Sequence, residues 1–182
     1  MKVFSIFGYS NSGKTTTVEC LIAELCARGY SVASVKDIHF EQFTIDTAGS
    51  DTNRHRRAGA GLVTALGLSE TDILFQERMP IDFVLGIYRE YGHFDYVVLE
   101  GTGGFTGPGI VTASSLAELE KKWDENRIAV FAIAGKIASE ITSHRGVPSF
   151  DARMRAKDLV NLIETAVPEW ENPLKNTANM IE

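Results

Sequence analysis

The apolar positions of this chain switch repeatedly between two spacings. Val3-Phe4-Ser5-Ile6-Phe7 is a short apolar run closed by Gly8, the pattern of a buried strand. From Lys14 the period changes. Val18, Leu21, Ile22 and Leu25 fall at i, i+3, i+4 and i+7 and define one face of a helix, with Arg28 in its last turn and Gly29 placed to end it. Tyr30 to Lys36 alternates and predicts a second strand. A polar loop then leads to a helix over Asp51 to Gly59, short strands at Leu62 to Leu66 and Ile73 to Phe75, and a helix that opens at Pro80 and ends near Tyr91, before Gly92. Tyr96-Val97-Val98-Leu99 is apolar throughout, so its strand should be covered on both faces. Ser114 to Asn126, rich in glutamate and lysine, predicts a solvated surface helix, and Ile128 to Ala134 a further central strand. Asp151 to Val167 predicts an amphipathic helix with Leu159, Val160, Leu162 and Ile163 on its apolar face.

Strands that alternate with helices imply an α/β domain built on a mainly parallel sheet. No repeat, linker or low-complexity stretch interrupts the pattern, so one domain over residues 1–182 is expected. The Gly/Pro content of Gly103 to Gly109 suggests a small hairpin, placed where it could pair across a dimer.

Composition narrows the classes. Hydrophobic residues at 44% and charged residues at 23% are ordinary for a folded chain. The net charge of −6 weighs against nucleic acid as a partner. Cys20 and Cys26 match neither a disulfide framework nor a zinc or redox pair, and read as small buried or half-buried thiols. The longest apolar stretch, Ile128 to Ala134, falls far short of the ~20 residues that span a bilayer. The expectation is a cytoplasmic protein with no membrane partner.

The strongest chemical signal is Gly8-Tyr9-Ser10-Asn11-Ser12-Gly13-Lys14-Thr15, which matches G-x-x-x-x-G-K-[ST] between a predicted strand and a predicted helix. Glycines at both ends let the backbone curl, so that the N–H groups from Gly8 through Ser10, Asn11, Ser12 and Gly13 to Thr16 can point at an anion. The helix start adds unpaired donors and the positive end of its dipole. Lys14 would reach the β- and γ-phosphates of a nucleotide, and the Thr15 hydroxyl would coordinate Mg²⁺. The pattern predicts a P-loop NTPase fold, three-layered, with a mainly parallel sheet and a small antiparallel hairpin.

A second carboxylate should work on the metal or its water. Glu100 ends the Val97-Val98-Leu99 run, and ligands in open α/β sheets lie at the carboxyl ends of strands. The alternative is a strand-end carboxylate that pairs with a neighbour. The segment after the second strand is also rich in polar chemistry. Lys36 ends that strand near the expected phosphates. Asp46 and Asp51 could order a loop through Mg²⁺, and Arg54, Arg56 and Arg57 could meet a phosphate or form a solvated helix face. His39 has no partner at metal spacing. The Asn-Lys-x-Asp signature of many GTPases is absent. Ala134-Gly135-Lys136 follows a central strand at the corresponding place without the acidic residue that would grip guanine, so ATP and GTP both stay open.

Taken in order, these residues resemble the molybdopterin-guanine dinucleotide biosynthesis adapter proteins, the MobB family. The likeness runs through Gly8 to Thr16, Val35-Lys36-Asp37-Ile38-His39, Phe43 to Thr52 and on to Ala58-Gly59-Ala60, Val98-Leu99-Glu100-Gly101, and Val147-Pro148-Ser149-Phe150-Asp151. It departs at Ser50, where the family usually has lysine, at Thr102 to Gly109, and at Ala134-Gly135-Lys136. The resemblance implies a homodimer that binds GTP with Mg²⁺, hydrolyses it slowly at most, and assists the guanylyltransferase that joins GMP to molybdopterin. It would place GTP–Mg²⁺ on Lys14 and Thr15 and set Glu100 and Asp51 to order the metal or attacking water. The Arg54 region would face the pterin phosphate or the partner enzyme. Two other readings compete. A small-molecule kinase would also start with this loop, but Arg153 and Arg155 are the only late arginine pair available for a lid. A GTP-driven metal-insertion chaperone would want a Cys- or His-rich segment that this chain lacks.

Overall fold

The structure, a computed structural model, describes residues 1–101, 104–124 and 128–171. The elements in order are β1 (Lys2–Gly8), α1 (Lys14–Ala27), β2 (Val32–Lys36), α2 (Asp51–Arg57), β3 (Leu62–Leu66), β4 (Thr71–Phe75), α3 (Ile81–Ile87), β5 (Tyr96–Glu100), β6 (Gly109–Thr112), α4 (Leu116–Asp124), β7 (Val130–Ala134), β8 (Ser143–His144), β9 (Val147–Pro148) and α5 (Ala152–Ala166). A π-helical turn, Tyr88–Gly92, continues α3, and a 3₁₀ turn, Lys136–Ser139, follows β7.

Residues Met1–Asp37 and those from Ile81 onward form one compact unit, and Ile38–Pro80 form a second. The first unit is built on a five-stranded sheet in the order β2-β5-β1-β6-β7. Every neighbouring pair in it is parallel. Burial on both faces explains the continuous apolar runs. Phe4, Ile6, Val98 and Ile110 pack with Val18, Leu21 and Leu25 of α1 and Leu159, Val160 and Ile163 of α5. On the opposite face, Val3, Val97 and Leu99 pack with Leu85 of α3, while Phe7, Val111 and Ile133 pack with Leu119 of α4. Alternate residues of each strand thus feed alternate layers, which makes the unit three-layered.

The second unit is smaller. Its β3 and β4 form an antiparallel hairpin in which Leu62 pairs with Phe75 and Leu66 with Thr71. Val63 is buried, whereas Leu62, Leu66 and Ile73 are exposed. The hairpin is one of two small antiparallel elements among the described residues; β8 and β9 form the other.

Two sequence expectations change. Gly109-Ile110-Val111-Thr112 is a fully buried central strand that pairs parallel with both β1 and β7. Gly109 therefore opens a sheet strand and does not close a hairpin, and Gly103 lies outside the described residues. The second strand also starts later than Tyr30. Tyr30 stacks edge-on against Tyr96 at 5.0 Å, and Ser31 is held by the Asp95 carboxylate through its N–H at 2.8 Å. Asn126, the expected end of the lysine-rich helix, and the tail from Asn172 lie outside the described residues. Among the described residues, no helix is long and apolar enough to cross a membrane.

Candidate functional site

Because all five sheet strands run parallel, their carboxyl ends gather along one edge. Lys36, Glu100, Gly8, Thr112 and Ala134 are the last residues of β2, β5, β1, β6 and β7, in that order. Gly8 is in register with Thr112, Lys36 with Glu100, and Thr112 with Ala134. The loop from Gly8 to Lys14 leaves this edge and enters α1 directly.

Local backbone chemistry shapes the loop. Asn11 takes a left-handed conformation, φ 61°, which asparagine tolerates better than most residues. Gly13 precedes the helix at φ 104° and caps it with no side chain, so the first N–H groups of α1 have no side-chain acceptor there. The turn after β7 holds the loop from behind. Gly135, at φ 85°, comes so close that a Cβ there would sit 2.2 Å from the Ser12 carbonyl oxygen. The Lys136 N–H donates to that same carbonyl at 3.1 Å. From β6, Thr112 Oγ1 meets the buried Ser12 Oγ at 2.7 Å and donates to the Phe7 carbonyl at 3.2 Å. The loop is thus pinned by two strands that lie a hundred residues or more further along the chain.

The charged side chains converge on its open side. Lys14 Nζ donates to the carbonyls of Gly8 (3.1 Å) and Tyr9 (2.7 Å). Burial pushes the Lys14 ammonium below the usual lysine range; Glu100 opposes the shift, and Lys36 and Lys122 reinforce it. Thr15 Oγ1 donates to Glu100 Oε1 at 2.7 Å, and Lys36 Nζ donates to the same oxygen at 3.0 Å. The Glu100 side chain is 11% exposed and that of Lys36 is 56% exposed. Ser10, Asn11 and Thr15 are exposed, and Thr16 is half-buried in the first turn of α1. The structure therefore brings together Lys14, Thr15, Lys36 and Glu100 around the loop.

The other candidates lie in the second unit and are engaged there. The Asp46 carboxylate is 4% exposed and faces Arg56 NH1 at 3.4 Å. Its Oδ1 accepts from Ser50 Oγ (2.9 Å) and Thr52 Oγ1 (2.7 Å). The Thr52 hydroxyl, helped by Ser50 and Arg56, holds this carboxyl below the usual aspartate range. Ser50 in turn caps α2 by accepting from the Asn53 N–H at 3.1 Å. Arg56, not Arg54, is the arginine on Asp46. Arg54 pairs with Asp51 at 2.9 Å on an exposed face, with side-chain exposures of 74% and 84%.

Two participants had no signal in the sequence. Lys121 and Lys122, read there as a solvated helix face, lie with their ammonium groups 5.6 and 4.9 Å from the centre of the Tyr9 ring. Their position depends on α4 packing Leu119 beside β6, a tertiary fact. Thr112 and Gly135 likewise became part of the loop only through the sheet order.

Mg²⁺ is implied by the loop, and the donor set suits it. Thr15 Oγ1 and a Glu100 oxygen are hard oxygen donors 2.7 Å apart. Among the described residues, no group of three or more His, Cys, Asp or Glu could hold a metal. A cation here would therefore keep phosphate and water oxygens in its shell, as Mg²⁺ does.

Comparisons with known proteins agree with this geometry. The family model for molybdopterin guanine dinucleotide synthesis protein B, MobB, matches residues 3–136. The chain is 25% identical over 151 residues to a molybdopterin-guanine dinucleotide biosynthesis adapter protein of Bacillus subtilis, covering 82% of this chain and 85% of that one. It is 32% identical over 101 residues to a similarly named protein of Methanocaldococcus jannaschii, covering 56% of this chain; the match spans only 41% of that relative's length. The crystal structure of Bacillus subtilis MobB superposes with a TM-score of 0.72 at 22% identity, over 89% of this chain and 98% of that one. The likeness shows a shared fold, and the Gly8–Thr15 motif between β1 and α1 fits a P-loop NTPase fold.

Proposed function

The chain belongs to the molybdopterin guanine dinucleotide synthesis protein B family, and from that premise we propose that it is an adapter in molybdopterin-guanine dinucleotide biosynthesis that binds GTP with Mg²⁺ and hydrolyses it slowly at most. The observation that carries the nucleotide part is the pinned loop. Lys14 is held on two neutral carbonyls, which a phosphate would outcompete as partners for an ammonium. Thr15 and Glu100 would hold the Mg²⁺, whose role would be to neutralise phosphate charge. Lys36 would balance Glu100 until the metal arrives. The guanine preference rests on the family alone, because Ala134-Gly135-Lys136 offers no carboxylate for the base.

The adapter part rests on family membership. Molybdopterin or its guanylyltransferase is the proposed partner, and a homodimer the proposed state. The exposed Leu62, Leu66 and Ile73 of the hairpin offer apolar surface for such contacts.

The test is calorimetric titration of Mg·GTP and Mg·ATP into the full chain and into Lys14→Ala, followed by titration of the molybdopterin guanylyltransferase with GTP present. Losing one charge-assisted phosphate partner should weaken GTP about 100-fold. Equal affinity in the two proteins would overturn the loop assignment. Phosphoryl transfer to a small metabolite, with no affinity for the guanylyltransferase, would replace the adapter with a kinase.

A further inference from the structure

One carboxylate oxygen beside the loop serves two donors. Glu100 Oε1 accepts from the Thr15 hydroxyl at 2.7 Å and from the Lys36 ammonium at 3.0 Å. The pairing with Lys36 is built into the sheet. Lys36 and Glu100 end the adjacent strands β2 and β5 and are register partners in a parallel ladder. Partners in register leave the sheet on the same face, so the lysine is a fixed neighbour of this carboxylate. Glu100 is the more enclosed of the two, and the Lys36 side chain is exposed.

The charges say what the pairing does. A carboxylate beside an anion-binding loop repels phosphate. The Thr15 hydroxyl bonds to Glu100 but brings no charge to offset it. The Lys36 ammonium does offset it. In the reading above, Mg²⁺ on Thr15 and Glu100 would supply the same neutralisation. The ammonium and the metal thus serve one carboxylate, and two cations drawn to it repel each other. Lys36 can give way, because its ammonium is a strongly hydrated charge on a flexible four-carbon stem.

We propose that Lys36 competes with Mg²⁺ for Glu100 and so sets how far nucleotide binding depends on the metal. With the ammonium on Glu100, the loop and Lys14 take the phosphates without metal. Where Mg²⁺ is abundant, Lys36 yields the carboxylate and withdraws into water. Lys36 acts on the phosphates through Glu100, not by touching them. The inference rests on the nucleotide-binding reading above and deepens it by naming its regulation: the site holds nucleotide over a wide range of free Mg²⁺.

Calorimetric affinities of the full chain for GTP and ATP, over a series of Mg²⁺ concentrations and in excess chelator, decide the matter. The proteins compared are the native chain, Lys36→Met, Lys36→Arg, Glu100→Gln, the Lys36→Met/Glu100→Gln double variant and Lys14→Ala. Lys36→Met should weaken metal-free binding about tenfold and leave affinity near native at saturating Mg²⁺. The Mg²⁺ concentration needed for half the tightening should fall by a similar factor. Lys36→Arg keeps the charge and should keep the native metal dependence. In the Glu100→Gln background, Lys36→Met should change metal-free affinity less than twofold, because no carboxylate is left to offset. Equal weakening by Lys36→Met with and without metal, or in both Glu100 backgrounds, overturns the proposal and makes Lys36 a plain phosphate contact. No change in any condition also overturns it, as does native protein that binds no nucleotide in chelator. Failure of the underlying reading looks different: Lys14→Ala would then leave every affinity unchanged.

Discussion

The molecule holds two polar clusters, and they are built on different terms. At the carboxyl edge of the sheet, Lys14 leans on backbone carbonyls, Glu100 is shared between Thr15 and Lys36, and two further lysines lie on the Tyr9 ring. Between residues 44 and 56 the account is closed. Asp46 takes two hydroxyls and a guanidinium, and Arg56 is divided among Asp46, Thr44 and Gln76. The α2 helix buries no side chain, so these polar bonds do the holding that apolar packing does elsewhere. The carbonyls that hold Lys14 are neutral, so an anion can replace them without breaking an ion pair at that lysine. The closed cluster gives shape to a segment that lacks a core. Substitutions in the first should therefore change what the protein binds, and substitutions in the second how firmly a segment folds.

The largest effect should come where the first cluster depends on backbone packing. Gly135→Ala puts a Cβ 2.2 Å from the Ser12 carbonyl oxygen at a positive φ. We expect a loss of roughly 2–4 kcal/mol in stability, from overpacking added to backbone strain. Nucleotide affinity should also drop, because Ser12 and Gly13 must move. Gly146→Ala is the control. It shares a positive φ, 81°, but has nothing within 4 Å of the added Cβ, so it should show only the strain, about 1–2 kcal/mol. Urea unfolding of both variants separates the terms. Equal losses would mean that the turn after β7 does not support the loop.

How far these features were readable in the sequence follows the same division. The loop was legible because its glycine and lysine spacing dictates backbone shape locally, and the strand before it and helix after it each had a clear period. The three-layer parallel architecture followed from fully apolar runs such as Tyr96 to Leu99. The β6 strand was not legible. Four residues carry no period, and their burial comes from lying between β1 and β7. Gly109 opens β6 in a spot where a Cβ would strike Ile128, Ser5 and Phe7 within 3 Å, which is packing, not turn chemistry. Gly135-Lys136 was weighed as a base-binding position, yet its backbone supports the phosphate loop. In the second unit, Asp46 and the arginines were recognisable as chemistry. That Arg56 and not Arg54 would reach Asp46 depends on which face of α2 lies over Thr44 and Gln76, and seven polar residues do not encode that.

A smaller effect should separate the two roles open to Glu100. Glu100→Gln preserves an acceptor for Thr15 and removes the charge that faces Lys36. If the carboxylate orders metal or water, phosphate release under saturating Mg·GTP should slow about tenfold, while GTP affinity changes less. A turnover rate equal to that of the native protein would leave Glu100 as a strand-end partner for Lys36 and nothing more.

The smallest and most local effect belongs to the closed cluster. Asp46→Asn keeps an oxygen for Ser50 and Thr52 and removes only the charge opposite Arg56. In the native fold, hydrogen bonds from Thr52 and Ser50 and the Arg56 guanidinium hold the Asp46 carboxyl below its ordinary value. A carboxyl lowered on folding stabilises the fold fully above its unfolded value, about 4, and loses that contribution as pH falls through its lower folded value. Native protein should therefore outlast Asp46→Asn at neutral pH, and the gap should close progressively below about pH 4. Amide exchange over residues 44–56 reads the effect where it arises, apart from global unfolding. Nucleotide affinity measured alongside should stay at the native value if the cluster is closed. A marked loss of Mg²⁺-dependent affinity in Asp46→Asn, with exchange unchanged, would instead return Asp46 to the metal.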